Sequence, residues 1–87
     1  MVYNIILHVK VEDDLKRLDR AIARRIIQKL QWIEKQEDPL YYSKRLTDPA
    51  IGDVRFRIGD YRAVAIVREK TKTIVIIKIG HRNDIYT

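Results

Sequence analysis

Nine residues constrain this chain more than any others: Val54-Arg55-Phe56-Arg57-Ile58-Gly59-Asp60-Tyr61-Arg62. Arginines alternate with apolar residues up to a Gly-Asp pair, and a strand pattern resumes beyond it. Glycine at the first position of a two-residue loop suits a type II′ hairpin turn. With two residues in the loop, Arg57 stands opposite Arg62 and Arg55 opposite Val64. Strand side chains alternate between faces, and directly opposed residues share one. Arg55, Arg57 and Arg62 therefore fall on one side of a sheet, while Val54, Phe56, Ile58, Tyr61 and Ala63 line the other. Any even-numbered loop keeps this arrangement; an odd one separates Arg62 from the other two. Like charges opposite each other cost stability, so such a face points to an anionic ligand.

The flanking sequence completes the sheet and supplies its cover. From Val2 to Val9, residues Tyr3, Ile5, Leu7 and Val9 alternate with Val2, Asn4, Ile6 and His8, the mark of a strand with at least one buried face. From Glu12 to about Gln36 the pattern turns helical, with Val11, Leu15, Leu18, Ile22, Ile26, Leu30 and Ile33 recurring in steps of three and four. That spacing permits one long helix. Asp19, ahead of Arg20-Ala21-Ile22, has the side chain of an N-cap, and this favours a short helix and a longer one packed as a hairpin. Trp32 is expected in the core with the Leu/Ile stripe. Asp38-Pro39 ends the helical pattern, and Leu40 to Gly52 reads as a loop with a turn signal at Thr47-Asp48-Pro49. Strands then follow at Val54–Ile58, Tyr61–Arg68 and Thr73–Ile79, the last two joined by a turn at Glu69–Lys72. The middle one is apolar on both faces after Arg62, which places it centrally. The expectation is a single α+β domain over residues 1–87, ordered β-α-α-β-β-β. Its antiparallel sheet carries the helical hairpin on one face and the arginines on the other.

Composition narrows the partners. A net charge of +6 on 87 residues favours a polyanion, either nucleic acid or an acidic protein. The absence of cysteine excludes disulfides, thiol chemistry and cysteine-based metal sites. His8 and His81 lie far apart without ligand spacing, so neither a metal nor a cofactor is expected. No apolar run approaches the roughly 20 residues of a membrane span, and no signal-peptide pattern opens the chain. The expectation is a cytoplasmic protein that does not engage a membrane.

Two stretches together resemble the RelE/ParE superfamily of bacterial and archaeal toxins. They are Arg57-Ile58-Gly59-Asp60-Tyr61-Arg62 within the hairpin, and Gly80-His81-Arg82-Asn83-Asp84-Ile85-Tyr86 about 20 residues later. Arg45-Leu46 ahead of the hairpin also fits, and the resemblance covers essentially the whole chain. It implies a toxin held inactive by a cognate antitoxin. RelE-type members cut mRNA in the ribosomal A site; ParE-type members inhibit DNA gyrase without nuclease chemistry. RelE-like roles carried over by position give Arg55 and Arg57 as basic strand residues, Arg62 as the arginine after the hairpin, Arg82 as the arginine after the last strand, and Tyr86 as the terminal tyrosine. Such positions bind phosphate, stabilise the transition state, protonate the leaving oxygen and stack on a base. Lys44 and Arg45 add RNA-binding candidates beside them.

RNA cleavage through the 2′-hydroxyl requires a base for the 2′ proton, cations for the phosphorane and an acid for the 5′ oxygen, with no metal. Guanidinium groups on a rigid sheet meet the second requirement, because arginine binds phosphate oxygens bidentately. They do not meet the first. The prototype family member has a lysine where this chain has Arg57, and an arginine essentially does not deprotonate. Val54–Ile58 contains no carboxylate. His81 titrates in a useful range and adjoins Arg82, which makes it a candidate base or acid. Three readings therefore remain open: a ribosome-dependent endoribonuclease that inhibits translation, a non-catalytic gyrase inhibitor, and a degenerate member that serves only as an antitoxin-bound module. Tyr41-Tyr42 is either a partner-binding patch or a lid over the sheet edge.

Overall fold

A computed structural model describes residues 3–86, so Val2 and Thr87 lie outside the described residues. In chain order the elements are β1 (Asn4–Leu7), α1 (Val9–Lys16), α2 (Arg20–Glu34), a 3-10 turn (Pro39–Tyr42), β2 (Ser43–Arg45), β3 (Val54–Ile58), β4 (Tyr61–Arg68) and β5 (Thr73–His81). The strands form one sheet in the order β1-β5-β4-β3-β2. The α+β class holds, the β-α-α-β-β-β order gains one short strand (β2) after the helices, β4 is central, and β3 and β4 have the bounds expected from the sequence.

The differences have local causes. The sheet is mixed rather than wholly antiparallel, because β1 pairs with β5 in parallel; the two helices carry the chain back to its starting end. Helix α1 begins at Val9 rather than Glu12. His8 caps it, its Nδ1 accepting from the Lys10 N–H at 3.1 Å, a role the sequence signals better with Ser, Thr, Asp or Asn. The break between helices falls as expected, with Asp19 accepting from the Ala21 N–H at 3.3 Å. The Leu40–Gly52 segment is not all loop: it contains the end of the 3-10 turn and the short edge strand β2.

The core lies between one face of the sheet and the helices. Phe56, Ala63, Ala65, Ile74 and Ile76 are fully buried from the sheet, against Val11 of α1 and Ile26, Leu30 and Ile33 of α2. The last three recur at i, i+4 and i+7, one stripe of a helix. A bulge after Val64 shifts the β4–β5 register, so that Val64 pairs with Lys78 but Ala65 with Ile76. The extra residue lets Ile74, Ile76 and Ile79 all reach the core despite the break in alternation. Asp14 of α1 accepts from the Ile79 N–H there at 3.0 Å, satisfying a backbone donor beside the disrupted ladder. At the far edge Glu34 accepts from the Ile5 N–H at 2.7 Å, joining α2 to β1. Trp32 does not join the core with the Leu/Ile stripe. It is 45% exposed, because it sits beside the Leu30–Ile33 stripe rather than on it. No helix among the described residues is long and apolar enough to cross a membrane.

Candidate functional site

The site is built on the β3–β4 hairpin. Gly59 has φ 60, and Asp60 does not share the positive φ, the combination a type II′ turn requires. The turn fixes the register: Arg57 pairs with Arg62, Arg55 with Val64 and Phe56 with Ala63. Strand β2 adds Lys44 directly opposite Arg55. Four cations thus share the sheet face that the helices do not cover.

These side chains differ in setting. Arg57 is exposed, Arg55 half-buried and Arg62 buried. Arg62 folds back on the turn, its Nη1 donating to the carbonyls of Gly59 at 3.0 Å and Tyr61 at 2.9 Å. Burial, then the charges of Arg57 and Arg55, lower the Arg62 guanidinium below its ordinary pKa; Tyr86 opposes the shift and Arg82 adds to it. A guanidinium held by carbonyls and crowded by cations is a strong acceptor of negative charge, since an anion relieves the repulsion.

The cations open into a cavity of about 280 Å³ lined by Tyr41, Tyr42, Ser43, Lys44, Arg55, Arg57 and Arg62. Among the described residues no carboxylate lines it. The two tyrosines are the cavity residues that sequence reasoning left undecided, and they reach the cavity because β2 is a strand and not a loop. Two basic residues in a three-residue strand carry no apolar alternation, so nothing in the pattern announced it.

The tail is fixed to the same face. Gly80 pairs with Arg62 across the sheet, and Ile85, fully buried, packs on it. A β-carbon at Gly80 would stand 3.1 Å from Ile85 Cδ1. Backbone bonds from Asp84 and Ile85 to the His81 carbonyl close the turn that brings Ile85 back. The Arg82 N–H donates to the Asp60 carbonyl at 2.8 Å, and its guanidinium lies 3.8 Å from the Asp60 carboxylate. Arg82 and Tyr86 are thereby held at the turn end of the hairpin, within electrostatic range of Arg62.

Two candidates fall elsewhere. His81 pairs with Tyr61, whose parity is that of the helix-facing side, and the two rings meet edge to face at 5.5 Å. Its Nδ1 accepts from the Asn83 N–H at 3.2 Å, and its cleft includes Ile22, Arg25 and Ile58. Arg45 pairs with Val54 and lines a separate cleft with Leu46, Val67 and Glu69. Neither side chain joins the arginine cavity. Among the described residues no group of three or more His, Asp or Glu side chains is arranged to hold a metal ion.

A family model described as the ParE toxin of type II toxin–antitoxin systems matches residues 5–86. No curated protein sequence matches the chain. Among solved structures, it is similar to the RelBE2 toxin–antitoxin complex from Mycobacterium tuberculosis, with a TM-score of 0.80, 24% identity, and coverage of 97% of this chain and 95% of that one. It is also similar to the archaeal RelE–RelB complex from Pyrococcus horikoshii, with a TM-score of 0.70, 28% identity, and coverage of 97% and 99%.

Proposed function

Because the chain belongs to the ParE toxin family of type II toxin–antitoxin systems, we propose that it acts as the toxin of such a pair by cutting mRNA on the ribosome. The observation that carries this reading is the four-cation face, with Lys44, Arg55, Arg57 and Arg62 around a cavity that no carboxylate among the described residues lines. A fixed array of guanidinium groups is what a pentacoordinate phosphorane needs: charge stabilisation that exists before the reaction begins. Arg62 is the best-placed of the four, since its contacts with the turn carbonyls hold it in position.

In this scheme the 2′ oxygen of the substrate attacks the adjacent phosphorus. The O2′–P bond forms, the P–O5′ bond breaks, and the products carry a 2′,3′-cyclic phosphate and a 5′-hydroxyl. Of the four cations only Lys44 is an amine rather than a guanidinium, and a guanidinium essentially never deprotonates. We assign the 2′ proton to the Lys44 amine. Arg82 stands at the leaving 5′ oxygen and stabilises its developing charge, while solvent water supplies the proton that completes the 5′-hydroxyl; Tyr86 stacks on a neighbouring base. His81, on the helix-facing side, moves no proton in this scheme.

A cognate antitoxin is the expected partner, as in both solved relatives. An acidic segment laid over the four cations satisfies their charge and blocks the cavity at once.

The test is a map of mRNA 5′ ends after a short pulse of expression. New ends inside codons of translated messages support the reading; intact mRNA on arrested ribosomes sinks it. A gyrase-inhibiting toxin is the second reading, favoured because the described walls of the cavity include neither a histidine nor a carboxylate. It predicts intact mRNA with loss of supercoiling activity in purified gyrase.

A further inference from the structure

We infer that the aromatic end of the arginine cavity is a base-binding subsite. Tyr41 stacks there on a nucleobase of single-stranded RNA whose phosphate lies on Arg55, Arg57 and Arg62. The inference rests on the proposal above that the ligand is RNA and adds a second, separate point of grip.

Tyr41 is 79% exposed, the most exposed of the large apolar side chains. A lone surface tyrosine needs no explanation, but this one is the end of a braced series. Its ring meets Tyr42 edge to face at 5.3 Å, and Tyr42 meets Trp32 of α2 in the same manner at 5.1 Å. Lys29 Nζ lies over the Trp32 ring at 4.4 Å. The backbone beneath is also fixed. Pro39 is fully buried at the start of the 3-10 turn. The Tyr41 N–H donates to the Asp38 carbonyl at 3.1 Å, and the Ser43 hydroxyl donates to the Leu40 carbonyl at 2.7 Å. Tyr41 is thus an exposed ring held in place, and it walls the same cavity as the cations.

An aromatic platform beside a cationic groove is the usual construction for single-stranded nucleic acid, since every base has a face to stack. Position makes this subsite distinct from Tyr86. The tail is anchored on β5 at Gly80, whereas Tyr41 precedes β2. The order β5-β4-β3-β2 separates those strands by three spacings, about 14 Å. Tyr41 and Tyr86 thus belong to segments on opposite sides of the β3–β4 hairpin that carries Arg55, Arg57 and Arg62. Stacking of this kind is tolerant of sequence, so no base preference is expected from Tyr41 itself.

The experiment titrates the purified protein with a 2′-O-methyl oligoribonucleotide, which cannot undergo 2′-hydroxyl attack, and follows Trp32 emission and binding anisotropy. Tyr41→Ala should weaken binding by about 5- to 150-fold, the range for one lost base–aromatic stack, with the salt dependence unchanged. Tyr41→Phe should bind as the wild type does, because stacking does not need the hydroxyl. An abasic position in the oligonucleotide at the matching site should weaken wild-type binding and leave Tyr41→Ala unaffected. Arg57→Gln should instead lower the slope of log affinity against log salt by about one. Binding that depends on Arg57 but not on Tyr41 overturns this inference and spares the proposal of RNA as ligand. No binding by the wild type overturns this inference, and the map of mRNA 5′ ends then decides the proposal of cleavage on the ribosome separately. Loss of antitoxin affinity in Tyr41→Ala without loss of RNA affinity also overturns it, because the surface then serves a protein.

Discussion

Replacing Arg57 with glutamine should make this protein more stable. Arg57 faces Arg62 directly, and it is exposed, so shortening it removes charge while disturbing little packing. In a two-residue hairpin the pair beside the turn exchanges the ladder bonds. Arg57 and Arg62 then occupy the next, non-hydrogen-bonded pair, where opposed side chains approach most closely. Cross-strand pairs of this kind are worth about 0.2–1 kcal/mol, unfavourable for like charges. A domain of this size gains about 4–8 °C in Tm per kcal/mol, so Arg57→Gln should melt about 1–8 °C above the wild type in a low-salt buffer. The repulsion is electrostatic and accessible to ions, and the Debye length falls from about 10 Å at 0.1 M to about 3 Å at 1 M salt. The gain should therefore shrink towards zero near 1 M. Thermal melts followed by circular dichroism at both salt concentrations measure it. A variant that melts below the wild type at low salt, or a gain indifferent to salt, refutes the idea that these arginines are held together at a cost. The same variant should lose RNA affinity, so stability and binding move in opposite directions.

Other consequences are as direct. Gly59→Ala should cost about 1–2 kcal/mol in urea unfolding, from the positive φ alone, because a β-carbon there meets nothing within 4 Å. Gly80→Ala should cost only about 1 kcal/mol in the same assay, yet reduce RNA cleavage far more. The added methyl displaces Ile85 and with it the tail carrying Arg82 and Tyr86. The Tyr3 hydroxyl donates to Glu69, an interaction that holds the Glu69 carboxyl below its usual range and raises the Tyr3 phenol. Its stabilisation should be present above the ordinary carboxylate range and fade as pH falls through the depressed value of Glu69. At the alkaline end it should fade as pH rises through the raised value of Tyr3. Unfolding midpoints across pH should show Glu69→Gln below the wild type at neutral pH and converging with it in acid; parallel profiles would contradict the pairing. His81→Ala should retain cleavage with its pH profile unchanged, since His81 lies on the helix-facing side of the sheet.

The hairpin was legible because three independent signals coincide there. Alternation set the faces, Gly59-Asp60 set the loop length, and parity then brought Arg57 to Arg62. The helical stripe and the Asp19 cap were legible for similar reasons. What escaped notice lacked a periodic signal. Strand β2 is three polar residues, and its partner β3 supplies the alternation. Tyr41 and Tyr42 belong to the cavity only because β2 pairs with β3. Trp32 read as core because it is apolar and helical, but one residue of rotation separates it from the stripe, and Tyr42 takes it instead. His81 adjoins Arg82 in sequence, but His81 ends β5 opposite Tyr61 on the helix-facing side, and Arg82 belongs to the turn beyond the strand. The parity that united the arginines also sets His81 apart from them.

Cleavage in a reconstituted system tests the central claim most directly. Translating ribosomes carrying a defined mRNA are mixed with the purified protein, and the fragments are resolved and their ends identified. The account predicts cuts within the A-site codon that leave a 2′,3′-cyclic phosphate and a 5′-hydroxyl, with no cleavage by Arg62→Ala and strong loss in Lys44→Ala. Full-length mRNA in the presence of folded wild-type protein would contradict it.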